Sequence, residues 1–154
     1  MARKTERATA NQRGKNLEHF IQSRLEERNY QFVDKIRFLP AMYLEQPIYS
    51  KQVYIGKSIY ETPRYCDFIL YHPQKWPDAL VIEAQWQHAS GSMDEKYPYT
   101  ILNIKKLNYQ TIFLLDGDGY KKGAKDWIIS QIDSKLLQVF NMMQFQAWVN
   151  RGNI

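Results

Sequence analysis

Two carboxylates, Asp67 and Glu83, lie in segments of the sequence that otherwise favour buried β-structure. Glu83 follows the apolar residues Val81 and Ile82, and an unpaired carboxylate among such residues is costly to bury. Two carboxylates on adjacent strands share that cost when both bind one divalent cation. Carboxylate and carbonyl oxygens are the ligands that Mg²⁺ takes in proteins. We therefore predict a Mg²⁺ site, with Mn²⁺ as the alternative metal, whose ligands are Asp67, Glu83 and the backbone carbonyl of Ala84.

Gln85 is predicted to face the same site as Glu83, because side chains two residues apart in a strand point to one face of the sheet. Other interpretations stay open. Asp67 is then an acid on the surface of its strand, Glu83 a salt-bridged structural residue, and Gln85 a polar surface position. The single cysteine, Cys66, is expected in the core, and it excludes an internal disulfide and a cysteine-only metal site.

The segments that must position these side chains alternate between helical and strand patterns. The predicted order is helix 14–29, strand 32–39, an irregular connection 40–52, strands 53–60, 65–71 and 79–87, helix 93–107, strand 111–116, helix 124–132, strand 136–140 and helix 143–150. This order predicts an α/β fold, a mixed β-sheet flanked by helices, with the later strands joined by crossover helices. A length of 154 residues suits a single domain.

Positive charge is concentrated at the N-terminus. Residues 1–15 contain one acid, Glu6, against five basic residues, which gives +4 of the total net charge of +5. Those five are Arg3, Lys4, Arg7, Arg13 and Lys15, and Lys121 and Lys122 form a second basic cluster. We predict that both clusters bind nucleic acid, since Lys and Arg on phosphates release counterions. A solubilising terminus and a solvated loop are the alternatives. The predicted organisation is a basic arm, residues 1–13, followed by one domain, residues 14–154.

The composition places the chain among globular proteins, with 44% hydrophobic and 24% charged residues. No apolar run approaches the length that a membrane span needs, and the first residues lack the apolar stretch of a secretory signal. We therefore expect a cytoplasmic protein with no membrane partner.

Three segments carry a resemblance to a known family. ProArgTyrCysAspPhe (63–68) and IleGluAlaGln (82–85) resemble the acidic residue and the (D/E)-x-K motif of the PD-(D/E)xK nuclease superfamily, the fold of many type II restriction endonucleases. This chain differs in the gap between Pro63 and Asp67, and it carries Gln85 where lysine is usual. The segment from Gln87 to Tyr99 is similar to the Gln-x-x-x-Gly-(Thr/Ser)-x-x-Glu-Lys-x-Pro segment that follows the catalytic strand in several restriction-enzyme families. The resemblance covers roughly residues 14–130.

The resemblance implies a role for each of these residues. Asp67 and Glu83 hold Mg²⁺, and a metal-activated water attacks the scissile phosphate in line. Gln85 hydrogen-bonds that water, and Lys96 supplies the cation that the motif lysine otherwise provides. Glu18 on the first helix corresponds to a glutamate that joins the metal site in many members. The alternatives are that Glu18 is a solvated helix charge and that Lys96 is a solvated residue near the start of its helix.

The resemblance also implies the function. We expect a restriction-endonuclease-like fold and a metal-dependent endonuclease that hydrolyses double-stranded DNA at specific sites. A single domain offers one site, so that cutting both strands implies a homodimer or a higher even oligomer. The alternatives are a catalytically silent DNA-binding protein of the same fold, suggested by the missing lysine, and a homing, repair or RNA-directed nuclease.

Overall fold

The computed structural model describes residues 2–87 and 93–154, with side chains from Gln12 onward. The elements run in the order α1 (Ala2–Glu27), β1 (Gln31–Phe32), α2 (Phe38–Ala41), a 3-10 helix (Met42–Leu44), β2 (Ile48–Lys51), β3 (Tyr54–Lys57), β4 (Pro63–Tyr65), β5 (Phe68–His72), β6 (Trp76–Trp86), α3 (Met93–Lys106), β7 (Gln110–Asp116), α4 (Lys122–Ser130), β8 (Leu136–Phe140) and α5 (Met142–Asn150). The single-domain α/β fold predicted from the sequence is confirmed.

The main sheet has six strands in the order β1-β2-β5-β6-β7-β8. β5 is antiparallel to both β2 and β6, whereas β6, β7 and β8 run parallel. Parallel neighbours need a crossover connection, and α3 and α4 provide the two that join β6 to β7 and β7 to β8. β3 and β4 form a separate two-stranded antiparallel sheet. The sheet is therefore mixed, as predicted.

Helices cover both faces of the main sheet because the central strands are apolar on both sides. On one face, Leu17, Ile21 and Leu25 recur at helical spacing along α1 and pack in one cluster with Leu80 and Ile82 of β6. On the other face, buried residues of α3 and α4 pack against buried residues of β7 and β8. The helices contribute Tyr97, Ile101, Ile104 and Ile128, and the strands contribute Phe113, Leu115, Leu136 and Val139. Alternation along β6 therefore directs Ala84 to the α1 face and Glu83 to the α3 face.

The N-terminal third differs most from the prediction. The strand predicted over 32–39 is limited to β1, because Phe38 already begins α2. The predicted irregular connection, residues 40–52, contains β2, which lies between β1 and β5 in the main sheet. Its four residues are too few to show a periodic pattern, so pairing with β5 decides their conformation.

Two further boundaries are corrected. The predicted strand 65–71 is divided: residues 63–65 belong to the small sheet and residues 68–72 to the main sheet, with Cys66 and Asp67 between them. The first helix begins at Ala2 rather than at residue 14, so the backbone of residues 2–13 forms the first part of α1.

Among the residues described, no helix is both long enough and apolar enough to cross a membrane.

Candidate active site

Asp67 and Glu83 face each other across β5 and β6. The antiparallel register pairs Phe68 with Ile82, and these two residues directly adjoin Asp67 and Glu83 in the chain. The backbone N–H of Ala84 donates a hydrogen bond to Oδ2 of Asp67 at 2.9 Å. The two carboxylates predicted from the sequence are therefore neighbours.

Glu83 is 6% exposed. Its Oε1 has no hydrogen-bond partner among the described residues, although Nη2 of Arg64 lies 3.8 Å away. Burial raises the pKa of the Glu83 carboxyl well above its usual value, and the negative charge of Asp67 raises it further; the Arg64 guanidinium opposes both. A cation bound between the two carboxylates would offset their negative charges and so reduce the repulsion between them.

A cavity of about 150 Å³ lies on the α3 face of this pair, and it is called here the α3-side cavity. Its polar lining comes from β4, β6, α3 and the β4–β5 junction, and consists of Arg64, Asp67, Glu83, Gln85, Lys96, Tyr97 and Thr100. The structure thus brings Lys96 and Gln85 to the same cavity as both carboxylates. Gln85 donates from Nε2 to the carbonyl of Trp86 at 3.0 Å.

A second cavity, of about 480 Å³, lies on the α1 face and is called here the α1-side cavity. Asp67, Ala84 and Gln85 line it as well, so the two cavities meet at these residues. Glu18 and Lys15 of α1 line the α1-side cavity only. The structure therefore brings Glu18 near Asp67 but on the opposite face of the sheet from Glu83.

Gln87 ties the end of β6 to the start of α3. Its Nε2 donates to Oδ1 of Asp94 at 3.3 Å and to the carbonyl of Gly119 at 3.2 Å, and its Oε1 accepts from the hydroxyl of Tyr97. These contacts hold the first turns of α3, which carries Lys96, against the sheet. Residues 88–92 of the predicted Gln87–Tyr99 motif lie outside the described part of the chain.

The predicted basic clusters occupy different places. The guanidinium of Arg13 lies over the ring of Trp86, 5.7 Å from its centroid, at the rim of the α1-side cavity. Lys121 and Lys122 are exposed at the start of α4 and line neither cavity. The side chains of Arg3, Lys4 and Arg7 lie outside the described part of the structure.

A larger cavity, of about 740 Å³, opens near Pro77 and Ala79 at the other end of β6. Its described lining includes one acidic residue, Asp78. It offers no pair of carboxylates, so we place the candidate chemistry at Asp67 and Glu83.

Comparison with known protein families agrees with this geometry. A family model described as a PD-(D/E)XK nuclease superfamily domain matches residues 9–153. The chain belongs to the PD-(D/E)XK nuclease superfamily. Its mixed six-stranded sheet flanked by helices is consistent with that fold, and membership supports a nuclease-type function. No curated protein and no solved structure matches the chain.

PD-(D/E)XK nucleases generally use divalent metals, and the residues present in this chain fit one. Asp67 and Glu83 are hard oxygen donors, and the buried Oε1 of Glu83 without a hydrogen-bond partner is suited to a cation. Within residues 12–87 and 93–154, whose side chains the structure describes, no three Asp, Glu, His or Cys side chains are grouped closely enough to hold a metal. Carbonyl oxygen and water, which Mg²⁺ accepts as ligands, would complete the coordination shell.

One charged residue beside the two carboxylates was not predicted from the sequence. Arg64 lines the α3-side cavity and forms the ion pair with Glu83, but residues 61–64 were predicted as a break between strands. The available signal was its position three residues before Asp67. That signal is weak, since Arg64 belongs to the small sheet rather than to the strand that begins after Asp67.

Proposed function

We propose that this chain is a Mg²⁺-dependent endonuclease that hydrolyses phosphodiester bonds in double-stranded DNA at specific sites. The observation that supports this most strongly is the facing pair of Asp67 and Glu83, with a buried Glu83 oxygen that lacks a hydrogen-bond partner among the described residues. A pair of ionised carboxylates in this setting is unfavourable unless a cation offsets its charge or one member binds a proton. Superfamily membership supports hydrolysis of nucleic acid as the use of that cation.

In this proposal Asp67, Glu83 and the Ala84 carbonyl hold Mg²⁺, or Mn²⁺ in its place. The ion supplies a more acidic bound water and neutralises charge on the phosphate. Gln85 hydrogen-bonds the attacking water and orients it, since an amide both donates and accepts. The water oxygen bonds to phosphorus and gives up a proton to solvent, the bond from phosphorus to the leaving sugar oxygen breaks, and that sugar oxygen takes a proton from solvent. Glu18 contributes a carboxylate from the α1 side of the sheet, and Lys96 contributes a positive charge from the α3 side.

The DNA partner is proposed from the distribution of basic residues. Arg13 and Lys15 lie at the α1-side cavity, which meets the α3-side cavity at Asp67, Ala84 and Gln85. A phosphate backbone that follows this rim passes the carboxylates. We include the basic N-terminal residues 1–13 and Lys121 and Lys122 in the DNA contacts. Because a double-strand cut needs two sites, we propose a homodimer or a higher even oligomer.

One observation favours a second function, a DNA-binding protein without catalysis. Gln85 stands at the position of the usual motif lysine and carries no charge. In that case the fold and its basic residues bind duplex DNA, and Glu83 is dispensable.

The deciding experiment incubates the purified protein with a long duplex DNA of diverse sequence, in Mg²⁺, Mn²⁺ or EDTA. Glu83→Gln is compared with Glu27→Gln, which changes an exposed glutamate that lines neither cavity. Discrete fragments that require metal and Glu83, and that persist in Glu27→Gln, are the expected result. Binding without cleavage in either metal would favour the silent function. If the protein cleaves RNA and an excess of duplex DNA does not inhibit that cleavage, the proposed substrate is wrong.

A further inference from the structure

Arg64 is held in the α3-side cavity by a strand that is otherwise at the surface. Its neighbours in β4, Pro63 and Tyr65, are exposed, whereas the Arg64 side chain is 18% exposed. Alternation along the strand explains the difference, because residues 63 and 65 point one way and residue 64 the other. The guanidinium thus enters the cavity that Asp67 and Glu83 line.

The hairpin that carries Arg64 is anchored on α3. The backbone N–H of Ile59 donates to Oδ1 of Asn103 at 2.8 Å, and Nζ of Lys106 donates to the carbonyl of Ser58 at 2.7 Å. The rings of Tyr60 and Tyr99 stack with their centroids 5.4 Å apart. Arg64 therefore projects from a supported element, which is the arrangement that keeps a side chain close to a required geometry.

The contacts of Arg64 leave donors unused. Its Nη2 lies 3.8 Å from Oε1 of Glu83, beyond hydrogen-bond distance, and its buried Nε has no hydrogen-bond partner among the described residues. A guanidinium presents its donors in a planar fork that matches the oxygens of a phosphate. An oxyanion that enters this cavity would satisfy the unused donors.

The described residues place two cations at this cavity, Arg64 and Lys96. Lys96 is an exposed side chain on a flexible stem, without a hydrogen bond or an ion pair to the described residues. Gln85 is directed to the carbonyl of Trp86 and is uncharged. Arg64 is thus the cation already fixed beside the carboxylates.

We propose that Arg64 is a catalytic residue, which donates hydrogen bonds to a non-bridging oxygen of the scissile phosphate. This inference rests on the proposed nuclease function. Negative charge grows on those oxygens as the water attacks, and a fixed cation stabilises that charge more than it stabilises the ground state. Arg64, rather than Lys96, then performs the task of the motif lysine, whose position Gln85 occupies in this chain.

The test compares Arg64→Gln, Arg64→Lys and Lys96→Gln, with Arg37→Gln, which changes an exposed arginine that lines neither cavity, as the matched control. The cleavage rate constant is measured in a single turnover at saturating Mg²⁺, and DNA affinity is measured by fluorescence anisotropy in EDTA. We expect Arg64→Gln to lower the rate constant by about 10²–10³-fold, the usual effect of losing one donor to a developing oxyanion. DNA affinity should change much less than the rate, and Arg64→Lys should retain part of the activity.

Saturating Mg²⁺ separates this role from a structural one. If Arg64 only oriented Glu83, the loss in Arg64→Gln would disappear as Mg²⁺ is raised, and that result would overturn the inference. Thermal unfolding of each variant verifies folding, and Arg64→Ala assayed with added guanidinium at low concentration gives an independent test, since rescue requires a vacant cation site. Absence of that rescue, under conditions in which the variant is folded, contradicts the inference.

Two outcomes distinguish the inference from the function on which it rests. If the wild-type protein cleaves and Arg64→Gln cleaves at a similar rate while Lys96→Gln is inactive, Lys96 is the phosphate-binding cation and the inference is wrong. If the wild-type protein cleaves no nucleic acid in either metal, the proposed function fails, and the inference fails with it.

Discussion

Oδ2 of Asp67 accepts a hydrogen bond from the backbone N–H of Ala84, with 2.9 Å between the oxygen and the nitrogen. Ala84 directly follows Glu83, so this bond fixes the Asp67 carboxylate against the strand that carries the second carboxylate. The orientation comes from the backbone of β6 and does not depend on a flexible side chain. The fold therefore holds two carboxyl groups side by side, an arrangement that raises the pKa of Glu83 and is suited to binding a cation.

Removing the charge at Glu83 should stabilise the protein at neutral and alkaline pH in the absence of divalent cations. Burial and Asp67 raise the pKa of the Glu83 carboxyl well above 4.5 in the folded state. Between the unfolded and folded pKa values the folded state binds more protons, so the free energy of unfolding falls as pH rises. Each unit of pH in that range costs about 1.4 kcal/mol. We expect the Tm of Glu83→Gln to exceed that of the wild type at pH 8 by more than it does at pH 4.

The measurement is thermal unfolding in EDTA across that pH range, with Glu27→Gln as the control. Glu27 is exposed and pairs with Arg24 one turn away, so Glu27→Gln should change the Tm little, since exposed ion pairs contribute little to stability. A Tm difference between Glu83→Gln and the wild type that is the same at pH 4 and pH 8 contradicts the assignment of a raised pKa to Glu83.

Magnesium should raise the Tm of the wild-type protein and leave the Tm of Asp67→Asn and Glu83→Gln unchanged. A ligand that binds only the folded state adds about 2.7 kcal/mol at one hundred times its Kd. The increase should be larger at pH 8 than at pH 6, because Glu83 must lose its proton before it binds the ion. Calorimetry with Mg²⁺ and without DNA checks this. An equal increase in Asp67→Asn would show that the ion binds elsewhere.

Gly117→Ala should destabilise the fold next to the candidate site. Gly117 has a φ of +99°, and a Cβ there would lie 2.2 Å from the carbonyl oxygen of Gln87. The Cβ is attached directly to the backbone and the carbonyl belongs to it, so neither can move aside easily. We expect the free energy of unfolding, measured in urea, to fall by about 2 kcal/mol or more. Gly123→Ala is the control, because nothing lies within 4 Å of its Cβ and alanine favours the helix. Equal midpoints for the two variants would contradict this account of Gly117.

The adjacency of Asp67 and Glu83 was predictable because β5, which begins directly after Asp67, and β6, which carries Glu83, are central and apolar. An apolar strand makes an acidic residue conspicuous, and alternation then assigns Gln85 to the face of Glu83. The segment that follows was also predictable as a helix, and α3 runs from Met93 to Lys106. These predictions depend on local periodicity, which is strong in β6 and α3.

Arg64 and β2 were not predictable for the opposite reason. β4 has three residues and β2 has four, so neither shows a pattern that distinguishes a strand from a loop. Their conformations depend on pairing with distant segments. Arg64 enters the site because β4 pairs with β3 and the hairpin contacts α3, and nothing in the order of residues 61–67 specifies that contact.

Gln85→Lys should restore cleavage to Arg64→Gln. Gln85 lines the same cavity as Arg64 and Glu83, so a lysine there places a cation beside the carboxylates by another route. If Arg64 performs the task of the motif lysine, the double variant should cleave at least about 10-fold faster than Arg64→Gln alone, whereas Gln85→Lys in the wild-type background should have a smaller effect. Such non-additivity is the signature of two side chains that serve one function. Single-turnover rates of the wild type, the two single variants and the double variant complete the cycle. As the control, Gln138→Lys adds the same charge on an exposed part of β8 and should restore no cleavage to Arg64→Gln. Equal effects of Gln85→Lys in both backgrounds would mean that the two positions act independently.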